Sequence, residues 1–413
     1  MKGSGKSRQS LLDGKVKKVL EIDDEIEKME SEYAGLEYEE NFFQDIEDDQ
    51  EIPFNADKIR IDQQMLSLKY IMELKDGNLL ELNPGYQRNR VWKDNKRKSL
   101  LIESLMLRIP IPAFYFYENE DSKFQVIDGQ QRLATIHEFV NNEFQLTGLE
   151  YLSDTCSKKY FKDLDVKYQQ RIYRTQLAVN VLDARSPKKV IYDIFRRINT
   201  GGMKLNPQEM RNAICKPQVR LFLKKSIQNK NYLKATRALV KDDRMDAQEL
   251  ALRFYAFYLI YDFEKEELTY DYKNVSSMLD EKIEVLNEMN EEKLDQLFDK
   301  FDTAMERCYQ VFGQYCFTKI SITEENEIML MSRDYINKSL FTSYSVLLSH
   351  PKYNEVMLQS YQDKVVKVFA NELKNQDYIN SITVGTGDRS RVNQNFCFSA
   401  EVLRKGCGDD TEN

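Results

Sequence analysis

The pentapeptide Asp128-Gly129-Gln130-Gln131-Arg132 brings a carboxylate, a glycine, two amides and a guanidinium into one short stretch. The residues before it alternate like a buried strand, and the apolar residues after it recur at helical spacing. A glycine at a strand-to-helix turn exposes backbone N–H groups, and the helix adds the positive end of its dipole. The pattern predicts an anion site in which Arg132 offers a planar, permanently charged fork to phosphate oxygens.

Two interpretations of this turn remain open. Two amides beside a guanidinium suit a polyphosphate, and a carboxylate within reach suits a metal ion or a water molecule. In the structural alternative, Asp128 caps the helix, Gly129 relieves backbone strain and Arg132 forms an ion pair.

A second polar cluster precedes the turn. Gln87 and Arg88 offer amide and guanidinium donors from an irregular segment, where functional groups often lie. Trp92, the only tryptophan, is interpreted as a core anchor. The basic residues nearby either contact a nucleic-acid backbone or form a solvated helix face; they are Arg90, Lys93, Lys96 and Arg97.

Two later segments carry further candidates. One predicted helix ends in arginines, and a second helix starts at Asn206-Pro207. Arg197, Asn199 and Thr200 lie between them, either beside a ligand or in a purely structural turn. The C-terminal loop with Arg389 and Arg391 either contacts phosphates or is a plain surface loop.

Composition limits the class of protein. With 413 residues, 41% of them hydrophobic, the chain is long enough for about two domains with buried cores. It has no apolar run of the roughly 20 residues that a membrane span needs, and no signal peptide, so we expect a cytoplasmic location. The six scattered cysteines predict reduced, structural thiols. A net charge of −8 argues against indiscriminate coating of nucleic acid.

The chain is divided by its patterns into four parts. The pattern of residues 1–55 predicts a helical and acidic arm. This arm either packs on its own domain or binds a partner protein or a second copy of the chain. Residues 56–216 alternate short strands with helices and predict an α+β domain. Residues 217–396 are helical almost throughout and predict an all-helical domain, and residues 397–413 are assigned to a C-terminal tail.

Several segments of the α+β part resemble one family in order and with compatible spacing. The family is the N-terminal domain of GmrSD-type, modification-dependent restriction enzymes, also called the "domain of unknown function 262" family. That domain is similar to the ParB/sulfiredoxin fold. The matching segments are Pro84–Trp92, Ile102–Ser104, Ile109–Pro112, Asp128–Arg132 and Arg197–Glu209, within about residues 56–216.

The resemblance implies a function and a set of site residues. It implies nucleoside triphosphate binding and hydrolysis, coupled to sensing of phage or modified DNA in a restriction or anti-phage system. Residues 129–132 would hold the phosphates, Gln87 and Arg88 would close the site, and Arg197, Asn199 and Thr200 would complete it. Asp128, Gln131 and Arg132 are the catalytic candidates, and Asp128 with Asn199 would hold Mg²⁺.

One departure from the family shapes the prediction. Full-length members carry a His-Asn-His nuclease, in which a histidine activates water, whereas the C-terminal half of this chain has only His350. We therefore expect no such nuclease in this chain; either a partner protein supplies DNA cleavage, or the protein regulates rather than cuts. Two rivals remain, a non-enzymatic DNA-binding module and a nuclease whose metal is held by carboxylates alone.

Overall fold

The computed structural model describes residues 28–29, 31–38, 60–82, 92, 94–119, 122–183, 185–186, 206–331, 333–353 and 355–408. Its contacts divide the chain into two compact units. One unit is Glu51–Ile214, and the other joins Met1–Gln50 to Cys215–Asn413. The first is α+β and the second is mainly helical, as the sequence predicts.

The α+β unit is built from five strands and six helices among its described residues. The strands are β1 (Ile61–Ser67), β2 (Leu80–Glu81), β3 (Phe114–Glu118), β4 (Phe124–Asp128) and β5 (Gln176–Asp183). The helices are α1 (Leu68–Asp76), α2 (Asn95–Leu107), α3 (Gln130–Val140), α4 (Ser153–Cys156), α5 (Val166–Arg174) and α6 (Pro207–Ile214), with a 3₁₀ turn at Phe161–Asp163.

The strands form one mixed sheet in the order β1-β5-β3-β4-β2. β1 and β5 pair antiparallel, β5 and β3 parallel, β3 and β4 antiparallel, and β4 and β2 parallel. β4 therefore ends at the same edge of the sheet as β2, where β3 begins. β5 ends at the opposite edge.

One face of this sheet packs on the helices. Phe114 and Phe116 of β3 lie two residues apart, so they share a face, and both are fully buried. Ile102 of α2 and Leu133 of α3 join the same core cluster. Each fully buried side chain of this size stabilises the fold by about 2–3 kcal/mol.

The start of α6 confirms a capping signal in the sequence. The Asn206 side chain accepts the Glu209 amide at 2.7 Å, and the Glu209 carboxylate accepts the Asn206 amide at 2.8 Å. This reciprocal pair satisfies donors that a helix start otherwise leaves open, and Pro207 has no N–H to satisfy.

The second unit consists of helices with two short hairpins. In the described residues after Cys215 its helices are α7 (Pro217–Ile227), α8 (Lys230–Ala235), α9 (Asp246–Tyr258), α10 (Val275–Asn287), α11 (Glu291–Phe312), α12 (Lys338–Leu348), α13 (Glu355–Glu372), α14 (Gln376–Ser381) and α15 (Arg389–Cys407). The hairpins pair β6 (Tyr261–Asp262) with β7 (Glu267–Leu268) and β8 (Ile320–Ile322) with β9 (Ile328–Leu330), and a 3₁₀ turn lies at Gly313–Tyr315. Among the helices described, none is long and apolar enough to cross a membrane.

The last helix continues past residue 396, where the sequence interpretation places the start of a tail. α15 ends at Cys407, and Val402, Leu403 and Cys407 are buried in the helical core. Gly406 permits close packing, since a Cβ there would lie 2.6 Å from a Val365 methyl carbon. Residues 397–407 therefore belong to the helical unit.

Residues 31–38, which we call the N-terminal strap, pack within the helical unit. The Glu37 amide donates to the Ile336 carbonyl at 3.0 Å, and the Ile336 amide donates to the Gly35 carbonyl at 3.1 Å. Gly35 has a φ of +79°, and a Cβ there would lie 2.2 Å from the Leu239 carbonyl oxygen. Only glycine fits this contact without strain.

Side chains also fix the strap. Leu36 is fully buried in the helical core. The Glu37 carboxylate accepts a hydrogen bond from Asn337 at 3.0 Å and pairs with Lys319. The strap is thus part of the helical unit rather than of a separate arm; the predicted helix before residue 28 and the acidic stretch after residue 38 lie outside the described residues.

All six cysteines are free thiols. Five are buried and only Cys397 is exposed. This agrees with the expectation of structural thiols.

A half-buried carboxylate, Asp242, lies just before α9. Asp242 accepts the Gln248 amide at 3.2 Å and the Gln248 side-chain amide at 2.7 Å. Burial raises the pKa of Asp242 to about 6, although the hydrogen bonds from Gln248 oppose the rise. The Asp242 carboxyl group therefore stays protonated in the native state at pH values where it is ionised in the unfolded chain.

Stability should consequently fall as the pH rises from about 4 to about 6. Because the native state binds more protons in that window, the free energy of unfolding should lose roughly 2 kcal/mol through Asp242. Urea unfolding of the wild type and of Asp242→Asn, measured from pH 4 to pH 7.5, checks this. The difference in stability between the two proteins should move in favour of the variant as the pH rises. A pH-independent difference would show that Asp242 is not the group responsible.

Candidate functional site

The predicted anion-binding turn lies at the edge of the sheet where β4 ends. Ile127 and Val126 are buried in β4, and Asp128 is its last residue. Gly129 then adopts a φ of +94°, and α3 begins at Gln130. The left-handed conformation is what turns the chain from strand to helix, and it favours glycine.

Gly129 also permits a close contact with β3. A Cβ at this position would lie 2.2 Å from the Phe114 ring. Both the backbone conformation and the neighbouring ring therefore require glycine here.

Arg132 points back from the first turn of α3 toward the segment before β3. Its Nη2 donates to the Asp128 carboxylate at 2.8 Å and to the Ala113 carbonyl at 3.1 Å, and its Nη1 donates to the Pro112 carbonyl. The guanidinium carbon lies 4.3 Å from the centre of the Phe114 ring. The ion pair between Asp128 and Arg132, which the structural interpretation of the turn predicts, is thus formed.

The charges of this pair are unequally exposed. The Asp128 side chain is 36% exposed and that of Arg132 is 14% exposed. Burial lowers the pKa of Arg132 from its ordinary value, and the nearby Asp128 carboxylate partly offsets this. The guanidinium is held in place with its charge balanced, and the carboxylate remains open to solvent.

The two glutamines of the turn differ in their surroundings. Gln130 is buried, and its side chain donates to the Val126 carbonyl at 2.6 Å, which fastens α3 to β4. Gln131 is half-buried. Gly129 has no side chain to cap the helix, so the first turn of α3 keeps the anion-binding character of a helix N-terminus.

The other predicted pocket residues lie outside the described part of the chain. These are Gln87, Arg88, Arg197, Asn199 and Thr200. β2, which leads to Gln87 and Arg88, runs parallel to β4 and so points to the same edge as Asp128. β5, which precedes the segment with Arg197 and Asn199, ends at the opposite edge.

The predicted nucleic-acid contacts near α2 are only partly described. Lys96 and Arg97 are exposed on the first turn of α2, whereas Arg90 and Lys93 lie outside the described residues. Arg97 lies over the Trp92 ring at 4.3 Å, and Trp92 packs on the core cluster as expected of an anchor. Arg97 therefore combines an exposed position with a structural contact.

The C-terminal arginines make local contacts. Arg389 pairs with Asp271 at 2.7 Å, and Arg391 donates to the Gln394 side chain at 3.2 Å. They do not form a cluster of free cations.

No group of three or more His, Cys, Asp or Glu side chains that could hold a metal ion is found in the described part of the chain. Asp128 is the one predicted metal ligand that is described. Its proposed companion Asn199 is not.

His350 has a structural environment in the helical unit. Its Nδ1 accepts the Lys352 amide at 2.9 Å, so Nε2 carries the hydrogen and donates to the Phe263 carbonyl at 3.2 Å. The ring also contacts Phe263. Both ring nitrogens are thus used in holding the loop after α12.

Sequence reasoning missed the groups that hold the turn. Phe114 and the carbonyls of Pro112 and Ala113 surround Arg132, and the only signal was the Ile-Pro-Ile-Pro run that precedes them. Glu103 lies in the matching segment Ile102–Ser104, and nothing in that segment marks it as a buried acceptor. Its buried carboxylate accepts the amides of Glu150, Tyr151 and Leu152 at 2.7–2.9 Å.

This geometry defines the class of domain. It is an α+β domain in which a strand, a glycine and a helix form a turn at the edge of a mixed sheet. Residues 68–216 match the family described as GmrSD restriction endonuclease, N-terminal domain. This part of the chain is therefore similar to a GmrSD-type N-terminal domain, and the match covers less than half of the whole chain. No curated protein matches the chain. The matched family is named after a restriction endonuclease, so the similarity points to a restriction or defence system.

Proposed function

We propose that the α+β unit binds a nucleoside triphosphate at the Asp128–Arg132 turn and hydrolyses it, as a sensor or regulator in a restriction or anti-phage system. The observation that carries this is the start of α3. Gly129, at a φ of +94°, leads from the sheet edge into a helix whose first turn has no side-chain cap. Such a helix start binds phosphate through backbone N–H groups and the helix dipole.

The catalytic roles follow from exposure and remaining hydrogen-bonding capacity. The exposed Asp128 carboxylate orients the attacking water or a magnesium ion, and Gln131 contributes an amide beside the phosphates. Arg132 has five N–H groups, of which three donate to acceptors in the described structure. The Nε hydrogen and one Nη1 hydrogen donate to no acceptor in the described structure, and each is left for a different phosphate oxygen.

The rest of the pocket is proposed from the family resemblance. Gln87 and Arg88 would close it, and the direction of β2 toward the Asp128 edge supports this placement. Arg197, Asn199 and Thr200 would complete it, with Asn199 and Asp128 on Mg²⁺.

The partners are proposed by the same reasoning. Phage or modified DNA would be the signal, and a separate nuclease of the defence system would act on it. The arm before residue 28 would join two copies, and the protein would act in the cytoplasm.

A panel of the four ribonucleoside triphosphates with Mg²⁺, with and without DNA, tests this function by phosphate release and by equilibrium binding. We expect one nucleotide to bind and to be hydrolysed, at a rate that DNA changes. Absence of both binding and hydrolysis across the panel would overturn the proposal.

A second function has one observation in its favour, which is the exposure of Lys96 and Arg97 on the first turn of α2. These residues could place the domain on a DNA backbone without any nucleotide. DNA affinity that falls steeply with added salt and ignores nucleotides would support this alternative.

A further inference from the structure

We infer that Phe114, together with the Pro112 and Ala113 carbonyls, positions Arg132 for the phosphate groups of the ligand. This inference rests on the proposed function. It assigns a role at the site to the Ile109-Pro110-Ile111-Pro112 run, which the catalytic candidates leave unused. Phe114 is a positioning residue, because it is fully buried and its contact is with Arg132.

The first support is the hydrogen bonding of the guanidinium. Arg132 donates through Nη1 to the Pro112 carbonyl and through Nη2 to the Ala113 carbonyl at 3.1 Å. Together with Asp128 at 2.8 Å, these acceptors fix the plane of the fork from two different segments of the chain. Holding one side of the fork fixes the direction in which its remaining N–H groups point.

The second support is the ring of Phe114. It is fully buried, and the guanidinium carbon lies 4.3 Å from its centre. A cation over an aromatic face is attracted by the ring quadrupole, and the attraction grows when water is excluded. The same ring occupies the space that a Cβ on Gly129 would need, 2.2 Å away, so one side chain packs against both the turn and the arginine.

The third support is the chemistry of the proline run. Proline cannot continue a helix, so α2 ends before Pro110 and the chain becomes extended. Extended backbone outside the sheet leaves carbonyls available as acceptors. Pro110 and Pro112 therefore restrict the backbone that carries the Pro112 and Ala113 carbonyls, and both carbonyls accept hydrogen bonds from Arg132.

The experiment compares Phe114→Leu with Phe116→Leu in the full chain. Phe116 is a matched control, because it is also a fully buried phenylalanine of β3 and is not in contact with Arg132 in the described structure. The first measurement is the rate at which phenylglyoxal modifies Arg132, normalised to the exposed Arg174 by peptide mass spectrometry. The second is the Kd for the nucleotide that the wild type binds best.

Phe114→Leu should raise the Arg132 modification rate at least about threefold and weaken triphosphate binding by a similar factor, whereas Phe116→Leu should change neither. Equal modification rates in the two variants and the wild type would overturn the inference. Faster modification in a protein that binds no nucleotide would uphold the positioning of Arg132 and reject the proposed function. If thermal unfolding shows that Phe114→Leu is not folded, Phe114→Met, whose longer and more flexible side chain adapts to the vacated space, replaces it.

Discussion

Replacing Arg132 by alanine should lower triphosphate hydrolysis by at least about 100-fold, since the charge that we propose faces the phosphates is lost. It should also lower the free energy of unfolding by about 2–4 kcal/mol, because three acceptors lose their donor. Those acceptors are the Asp128 carboxylate and the carbonyls of Pro112 and Ala113. Phosphate release under saturating nucleotide and urea unfolding measure the two effects.

Two further variants separate activity from stability. Arg132→Lys keeps a charge for Asp128 but not the planar fork, so it should recover part of the stability and little of the hydrolysis. Arg171→Ala removes a donor to the Met106 carbonyl, a structural contact in the same unit. If Arg171→Ala and Arg132→Ala lost stability and activity in the same proportion, Arg132 would have no role beyond the fold.

Replacing Glu103 by alanine should destabilise the α+β unit by about 3–6 kcal/mol. The Glu103 side chain is buried, and its two oxygens accept the amides of Glu150, Tyr151 and Leu152. The alanine variant leaves three backbone donors without their acceptor, each costing about 1–3 kcal/mol. Urea unfolding followed by circular dichroism gives the change in stability.

The matched control is Glu143→Ala, which removes an exposed carboxylate from the same unit. It should change the free energy of unfolding by less than about 0.5 kcal/mol. Glu103→Gln keeps one good acceptor and should fall between the two. A loss below 1 kcal/mol for Glu103→Ala would mean that water replaces the carboxylate in the loop.

The sequence predicts those parts of the fold that depend on local pattern. The strand Phe124–Asp128, the turn at Gly129 and the helix after it follow from alternation, a glycine and helical spacing, all within about 20 residues. The α+β unit followed by a helical unit follows in the same way. Capping at Asn206 is likewise a local signal, and the structure confirms it.

Contacts between distant residues are what the sequence does not predict. Glu103 binds backbone almost 50 positions later, and Glu37 binds Asn337 across 300 positions. Nothing in the local pattern of either glutamate marks its partner. Arg132 is an intermediate case, because its charge and position predict a site, while its acceptors near Pro112 come from a different segment.

The end of the helical unit shows a similar limit. Glu401 pairs with Arg404 at 2.7 Å and with Lys405 at 3.3 Å, which are helical spacings on an exposed face. From the sequence alone, Gly406 indicates the end of a helix. In the structure it lies within α15 and permits close packing against Val365. Whether a glycine ends a helix or serves a contact depends on the neighbour, which a single sequence does not show.

The N-terminal strap has a consequence for the order in which the protein can be completed during synthesis. The strap leaves the ribosome first, yet the residues that hold it include Lys319, Ile336 and Asn337. The α+β unit, all of whose residues precede Cys215, can fold while the strap still waits. The helical unit can complete its fold only when the strap and residues 319–337 have both been synthesised. The nascent chain therefore carries a folded α+β unit before the helical unit is complete.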